Sequence, residues 1–365
     1  MKAEDLTLQE KIGQMFMIGM PGTEIDDITR KLITEYKVGG VILYRKNILN
    51  MEHFIHLLNS LRELNKENKV PLFIGIDQEG GRVNRMPANI HNLVNAKQIA
   101  NVGGPDLCYK SGKVIGKMLS RFNINMNFAP VLDIGGFRDS HPLGNRCLGE
   151  DPEEVAKNGI ALMDGIKYSN VIPTIKHFPG HGASRIDSHV FMPAVYKSIK
   201  RLKQEDMLPF INAIKAGADS IMVGHLLITD VNSIYPASIS DRVITKILRK
   251  DLEYDGLVIT DDLSMKGITL IFGITHAAMK AISAGADIIM INKEHKSKIR
   301  IIENLIKAGK RNSMALRRIN ESVSRILEIK EKYNVKDEII PGYDVEEINE
   351  EIDEINSIAK GSNKE

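Results

Sequence analysis

The sequence predicts an α/β fold: a single (β/α)8 barrel of the TIM type with a C-terminal helical extension. Three observations carry that expectation. About eight short apolar runs recur along the 365 residues, helical periodicity separates most of them, and no break in composition divides the chain. The runs are QMFMIG (14–19), GGVIL (39–43), LFIGI (72–76), NFAPVL (127–132), VIPTI (171–175), SIMVG (220–224), LVIT (257–260) and DIIMI (287–291). Each is too short for a typical helix, rich in valine and isoleucine, and apolar without alternation. That is the pattern of parallel strands covered on both faces.

Helical stretches fall between them. Glu24–Tyr36 places Ile25, Ile28, Leu32 and Ile33 on one face, and Asp106–Arg121, Asp151–Ile166, Lys200–Ala216 and Ile274–Ala284 behave alike. Two turns nearly repeat, KAGADSIMV and SAGADIIMI, with a glycine suited to a helix C-terminus just before a strand. An open doubly wound sheet is the alternative, but it lacks its glycine-rich phosphate loop here. The barrel domain is expected over 1–335 and an acidic helix and tail over 336–365. Ser313–Tyr333 carries Ala315, Ile319, Val323, Ile326 and Ile329 on one stripe, and Val345, Ile348, Ile352 and Ile355 alternate at spacings of three and four. The second stripe is expected to pack on the outside of the barrel, with a dimer contact as the alternative, so the chain reads as a monomer or weak dimer.

Composition bounds the setting. Hydrophobic residues make up 43% and charged residues 26%, as in an ordinary globular protein, and the net charge is only +2. Neither nucleic acid nor a membrane is an expected partner. The first residues, MKAEDLTLQEKIGQ, include acids and no apolar run of signal-peptide length, so a cytoplasmic location is expected. Cys108 and Cys147 are read as reduced packing residues.

In a barrel, chemistry sits at the C-terminal ends of the strands. The third run is followed by Asp77 and QEGGRVNRM, the fourth by Asp133, and the fifth by Lys176, His177 and PGHG. His225 follows the sixth run, Asp261 and Asp262 the seventh, and Asn292 the eighth. A rim that only supports the fold has no reason to collect so many groups that must be hydrated or paired. Asp77 could merely cap a turn around Gly80–Gly81. With Arg82 and Arg85 close by, however, it suits a hydroxyl-rich ligand, because a carboxylate accepts while a guanidinium donates in a fixed fork. His177, His181 and His189 raise a metal reading, but Pro179 and Gly180 forbid the helix that would align the first two. No metal and no cofactor is expected. Asp187 and His189 lie two apart, so in extended chain both can face one way, and the carboxylate would favour a protonated imidazole able to act as general acid and then base. Of Asp261 and Asp262, one is expected to face substrate and the other to cap the following helix.

GIDQEGGRVNR, NFAPVLDI, GNRCLGEDP, IKHFPGHG, the DSH triplet and ITDDLSM stand in the order and spacing of glycoside hydrolase family 3, and the chain resembles its bacterial β-N-acetylglucosaminidase branch from about Leu6 to Tyr333. The resemblance implies a retaining exo-β-N-acetylglucosaminidase of the β-N-acetylhexosaminidase type. Asp261 is then the nucleophile, and His189, supported by Asp187, is the acid/base on a loop over the barrel mouth. Asp77, Arg85, Arg146, Lys176 and His177 would hold N-acetylglucosamine. The implied substrate is a sugar with a non-reducing N-acetylglucosamine, such as a muropeptide released in peptidoglycan recycling. Many family members carry a second sandwich domain that contributes the acid/base; a barrel-borne donor disfavours β-glucosidase activity. Phosphate in place of water as second nucleophile stays open. The rivals are a metal-dependent hydrolase using His177, His181, His225 and Asp261, and a non-catalytic sugar-binding barrel.

Overall fold

The computed structural model describes residues 1–135, 143–183, 192–293, 295–340, 342 and 344–361. All eight apolar runs contribute parallel strands: β1 (Phe16–Gly19), β2 (Gly40–Leu43), β3 (Phe73–Ile76), β4 (Met126–Asn127), β5 (Ile172–Phe178), β7 (Ser220–Val223), β9 (Leu257–Thr260) and β10 (Ile289–Ile291). They pair in the order β10-β1-β2-β3-β4-β5-β7-β9, and a parallel bridge between Ile259 and Ile288 brings the two ends together. The ring is therefore a barrel and not an open sheet. A second parallel pair, β6 (Ala194–Val195) with β8 (Leu227–Ile228), lies outside it. At two residues each, these strands are too short to leave a periodic signal.

The helices are α1 (Leu8–Gln14), α2 (Asp27–Thr34), α3 (Met51–Asn65), α4 (Ala96–Arg121), α5 (Pro152–Tyr168), α6 (Ile199–Gln204), α7 (Leu208–Lys215), α8 (Lys266–Phe272), α9 (Ile274–Ala284), α10 (His295–Arg311), α11 (Ser313–Lys332) and α12 (Glu346–Ala359). Arg242–Asp251 is wound as a wider π-helix. Two expectations need correction. The single helix expected over Lys200–Ala216 is two, α6 and α7, because Pro209 lacks an N–H and belongs in the first turn of a new helix. The helix expected from Asp106 begins ten residues earlier, where the Asn95 side chain accepts from Gln98 N, and is broken at Gly104 ahead of Pro105.

The two near-repeated turns do adopt one geometry. Gly217 (φ 84°) and Gly285 (φ 115°) both end their helices in the left-handed region. The next acid, Asp219 or Asp287, is buried and gripped by cations at the foot of the barrel: Lys167 and Lys332 for the first, Arg249 and Arg318 for the second. Such repetition serves the frame, since the N-terminal face of a barrel carries stability and not chemistry. Cys108 and Cys147 are unpaired and buried, and burial pushes both thiols up to about 12.

The terminal helices bury their stripes. Ile319, Val323, Ile326 and Ile329 of α11 face inward, and Ile348, Ile352 and Ile355 of α12 pack on the outside, chiefly along α4. Lys117 and Arg121 of α4 pair with Glu347, and Lys117 also with Glu351.

Candidate active site

Strand β5 carries a lysine directly into the barrel mouth. Lys176 is only 2% exposed, and its Nζ lies 2.7 Å from Asp77 Oδ1 and 2.6 Å from Glu79 Oε1. Glu79 in turn receives Arg146 through Nε and Nη2, each at 2.8 Å. Two acids thus balance two bases, which is the condition for keeping charges out of water. Burial alone would raise the Glu79 carboxyl, but the charges of Lys176 and Arg146 outweigh it and hold the group well below the usual carboxylate range. The same carboxylate outweighs the effect of burial on Arg146 and raises its pKa.

The loop after β3 that carries Asp77 and Glu79 is pinned to the frame. Asn127 of β4 accepts from Gln78 N and donates to Gln78 O, both at 2.9 Å. Gln78 Oε1 accepts from Arg85 N at 2.9 Å, Glu79 N donates to Val83 O, and Arg82 Nη2 donates to Leu143 O. Gly81 has φ 54°, and a Cβ there would stand 2.8 Å from Asn95 Cβ, so only glycine allows this approach. Among the described residues the buried Arg85 Nε has no partner.

His177 is oriented by Asp133. Its Nδ1 lies 2.7 Å from Asp133 Oδ2, while Asp133 Oδ1 accepts from His181 N at 2.6 Å. Burial would raise the Asp133 carboxyl, but the neighbouring His177, its hydrogen bond and His181 bring it below the ordinary value. An ionised acceptor fixes the proton on Nδ1 and leaves Nε2 as the atom available to the cavity. For His181, burial outweighs the attraction of Asp133 and lowers the pKa.

The two acids after β9 have different surroundings. Asp262 Oδ1 accepts from Ser264 N, Ser264 Oγ and Asn292 N, so it ties the strand end to the next turn and to β10. Asp261 is held by its own backbone N–H to Val223 O and accepts from Asp262 N at 2.7 Å, and its side chain lines the cavity. His225 is buried behind the cavity wall: Nδ1 lies 2.7 Å from Ser238 Oγ and Nε2 2.9 Å from the Asp262 carbonyl. That removes a ligand from the metal constellation weighed above. Among the described residues no three His, Cys, Asp or Glu side chains come together as a metal-binding group.

The resulting cavity measures about 850 Å³. Six expected site residues, Asp77, Arg85, Arg146, Lys176, His177 and Asp261, all line it. Asp187 and His189 lie outside the described residues. Two participants were missed. Tyr44 follows the second apolar run directly and was open to the same strand-end rule; it hydrogen-bonds Asn292, and burial with the charges of Asp77, Asp262 and Asp261 raises its phenol well above the usual value. Glu79 had no signal beyond its place in QEGG.

Residues 7–329 match the family model described as the glycosyl hydrolase family 3 N terminal domain. The chain belongs to glycosyl hydrolase family 3. Among family 3 relatives, a beta-hexosaminidase A of Pseudoalteromonas piscicida is 33% identical over 328 residues, covering 83% of this chain and 54% of its own. A beta-hexosaminidase of Tolumonas auensis is 32% identical over 292 residues, covering 79% of this chain and 86% of its own. This chain thus spans about half the length of the first and most of the second. A solved family 3 beta-N-acetylglucosaminidase from Paenibacillus sp. str. FPU-7 superposes with a TM-score of 0.87 at 35% identity, covering 97% of this chain and 69% of that one. The family 3 barrel is therefore shared in sequence and in shape.

Proposed function

We propose that this protein is a retaining exo-β-N-acetylglucosaminidase with Asp261 as nucleophile. The observation that carries the proposal is the division of labour between two adjacent carboxylates that both border the cavity: Asp262 Oδ1 is taken up by three hydrogen bonds from Ser264 and Asn292, which tie it to the frame, while Asp261 stands at the strand end among paired donors and acceptors. In the first step an Asp261 oxygen bonds the anomeric carbon as the glycosidic C–O bond breaks, and a general acid gives its proton to the leaving oxygen. In the second step the same residue, now a base, takes a proton from water, whose oxygen displaces Asp261. The acid/base assigned here is His189, supported by Asp187. Asp77, Arg85, Arg146, Lys176 and His177 hold the sugar, with acceptors and donors alternating as its hydroxyls require.

The relatives' names support the 2-acetamido sugar, and the cavity supports a substrate larger than one sugar ring. Its volume of about 850 Å³ lies near the upper end of the range for small-molecule sites, ~300–1,000 Å³. Exposed Arg45, Lys46, Lys266 and Lys293 stand around its mouth, a setting suited to a leaving group that bears carboxylates. A muropeptide released in cell-wall turnover has that character, and a cytosolic site of action accords with recycling.

Hydrolysis of an aryl β-N-acetylglucosaminide beside the matching β-glucoside, by wild type and Asp261→Ala, tests the proposal. Turnover confined to the acetamido substrate and abolished in the variant is expected. Comparable turnover by the variant would remove Asp261 from the mechanism, and preference for the plain glucoside would remove the substrate.

A further inference from the structure

The sugar-binding loop after β3 is held by the C-terminal helix as well as by the barrel. Asn349 Oδ1 accepts from His91 N at 2.8 Å, and its Nδ2 donates to Asn89 O at 3.0 Å. Asn356 repeats the pattern: Oδ1 accepts from Val94 N at 2.8 Å and Nδ2 donates to Asn92 O at 2.9 Å. Each carboxamide thus takes the N–H and C=O that a neighbouring strand would take. The spacing explains why a helix can do this. Seven residues of helix return to the same face and rise ~10.5 Å, and three residues of chain reach up to ~10 Å. Two turns of α12 therefore match the step from the Asn89–His91 pair to the Asn92–Val94 pair.

From this segment the contact passes straight to the site. Asn92 Nδ2 donates to Gly81 O at 2.7 Å, and Gly81 N donates to Leu93 O at 2.8 Å. Gly81 is flanked by Gly80 and Arg82, and Glu79, Arg82 and Arg85 lie within four residues of it. Between the two asparagines, Asp353 of α12 also meets the segment, 3.0 Å from His91 Nδ1, whereas the docking of α12 on α4 is supplied separately by Ile348, Ile352 and Ile355 and by Glu347 and Glu351.

We propose that Asn349 and Asn356 are positioning residues for sugar binding: they set the 89–94 segment against Gly81 and so hold the Glu79–Arg85 turn in register with Lys176 and Arg146. The inference rests on the assignment of the Asp77–Arg85 loop to the sugar. It predicts a defect in binding and not in chemistry, since Asp261 stands on a different strand.

The test uses the full chain as wild type, the Asn349→Ala/Asn356→Ala double variant, each single variant, and Glu347→Gln. Measured are kcat and KM on the aryl β-N-acetylglucosaminide, the calorimetric Kd of free N-acetylglucosamine, and the thermal midpoint. In the double variant KM and Kd should rise together on the order of tenfold with kcat within about twofold. Glu347→Gln loses only ion pairs between α12 and α4, so it should keep wild-type KM and Kd even if its midpoint falls. Should the double variant fail to fold, the single variants read the same two constants, each with a smaller rise. Unchanged KM and Kd in folded asparagine variants, or an equal rise in Glu347→Gln, would overturn the inference. A wild type that binds the sugar without cleaving it sinks the proposed reaction but leaves Kd to judge the positioning. A wild type that does neither removes the loop's role and this inference with it.

Discussion

At the residue scale, identical side chains at adjacent positions separate by their hydrogen bonds. Asp261→Ala should lose at least ~10³-fold in kcat without a large change in thermal midpoint, because its side chain lines the cavity and its hydrogen bond from Asp262 N is local to the strand end. Asp262→Ala should instead destabilise by ~1–3 kcal/mol, read by denaturant unfolding, since Ser264 N and Asn292 N lose their acceptor. Glu79 gives a pH-dependent counterpart. Its carboxyl is depressed in the folded protein by Lys176 and Arg146, so its contribution is complete above the ordinary glutamate value near ~4.3 and declines as pH falls below it. Glu79→Gln should therefore cost ~3–5 kcal/mol near neutrality and flatten the acid limb of a stability–pH curve. Asp77, Lys176, His177 and Asp261 were legible in the sequence because a strand-end rule places them on one rim. Glu79 was not, because its role depends on Lys176 and Arg146, which meet it only through the barrel's closure.

At the scale of elements, short apolar runs revealed all eight barrel strands, since burial on both faces leaves no other composition open to them. Interruptions within helical stretches were harder to read. Lys330 shows the limit from another side. It belongs to a helix that reads as basic and amphipathic, yet it is buried at the barrel floor and donates to Gln14 Oε1, Gly39 O and Pro71 O. Burial pushes its amine down to about 7. Periodicity finds the stripe but not a buried cation that plugs carbonyls behind it. The turn at Gly81 joins element to site. Gly81→Ala must accept left-handed backbone, at ~1–2 kcal/mol, together with a contact of 2.8 Å to Asn95 Cβ. Gly217 shares the positive φ but has open space around it, so Gly217→Ala should bear the backbone strain alone. Both variants should melt earlier, and only Gly81→Ala should raise KM for the aryl N-acetylglucosaminide.

At the scale of the whole molecule, a net charge of +2 hides an uneven distribution. Arg45, Lys46, Lys266 and Lys293 are exposed around the cavity, whereas inside it Asp77 is already paired with Lys176. Among the described residues the mouth therefore carries exposed positive charge above an interior in which Asp77 and Glu79 are paired with Lys176 and Arg146. Composition alone gives no sign of this distribution, because averaging over 365 residues removes a rim that only folding assembles. A field of this kind acts at long range and is screened as the Debye length falls from ~30 Å at 10 mM salt to ~8 Å at 150 mM. It follows that two N-acetylglucosaminides differing only in a carboxylate on the leaving group should respond differently to salt. Over that range kcat/KM for the anionic substrate should drop on the order of tenfold, while the neutral one stays nearly flat. Replacing Lys46 and Lys266 together by Gln should remove most of the difference and leave the neutral substrate unaffected, because neither lysine reaches the Asp77–Glu79–Lys176–Arg146 network. Parallel salt responses for the two substrates would show that the rim does not recruit the leaving group, and the case for a carboxylate-bearing cell-wall fragment would lose its structural support.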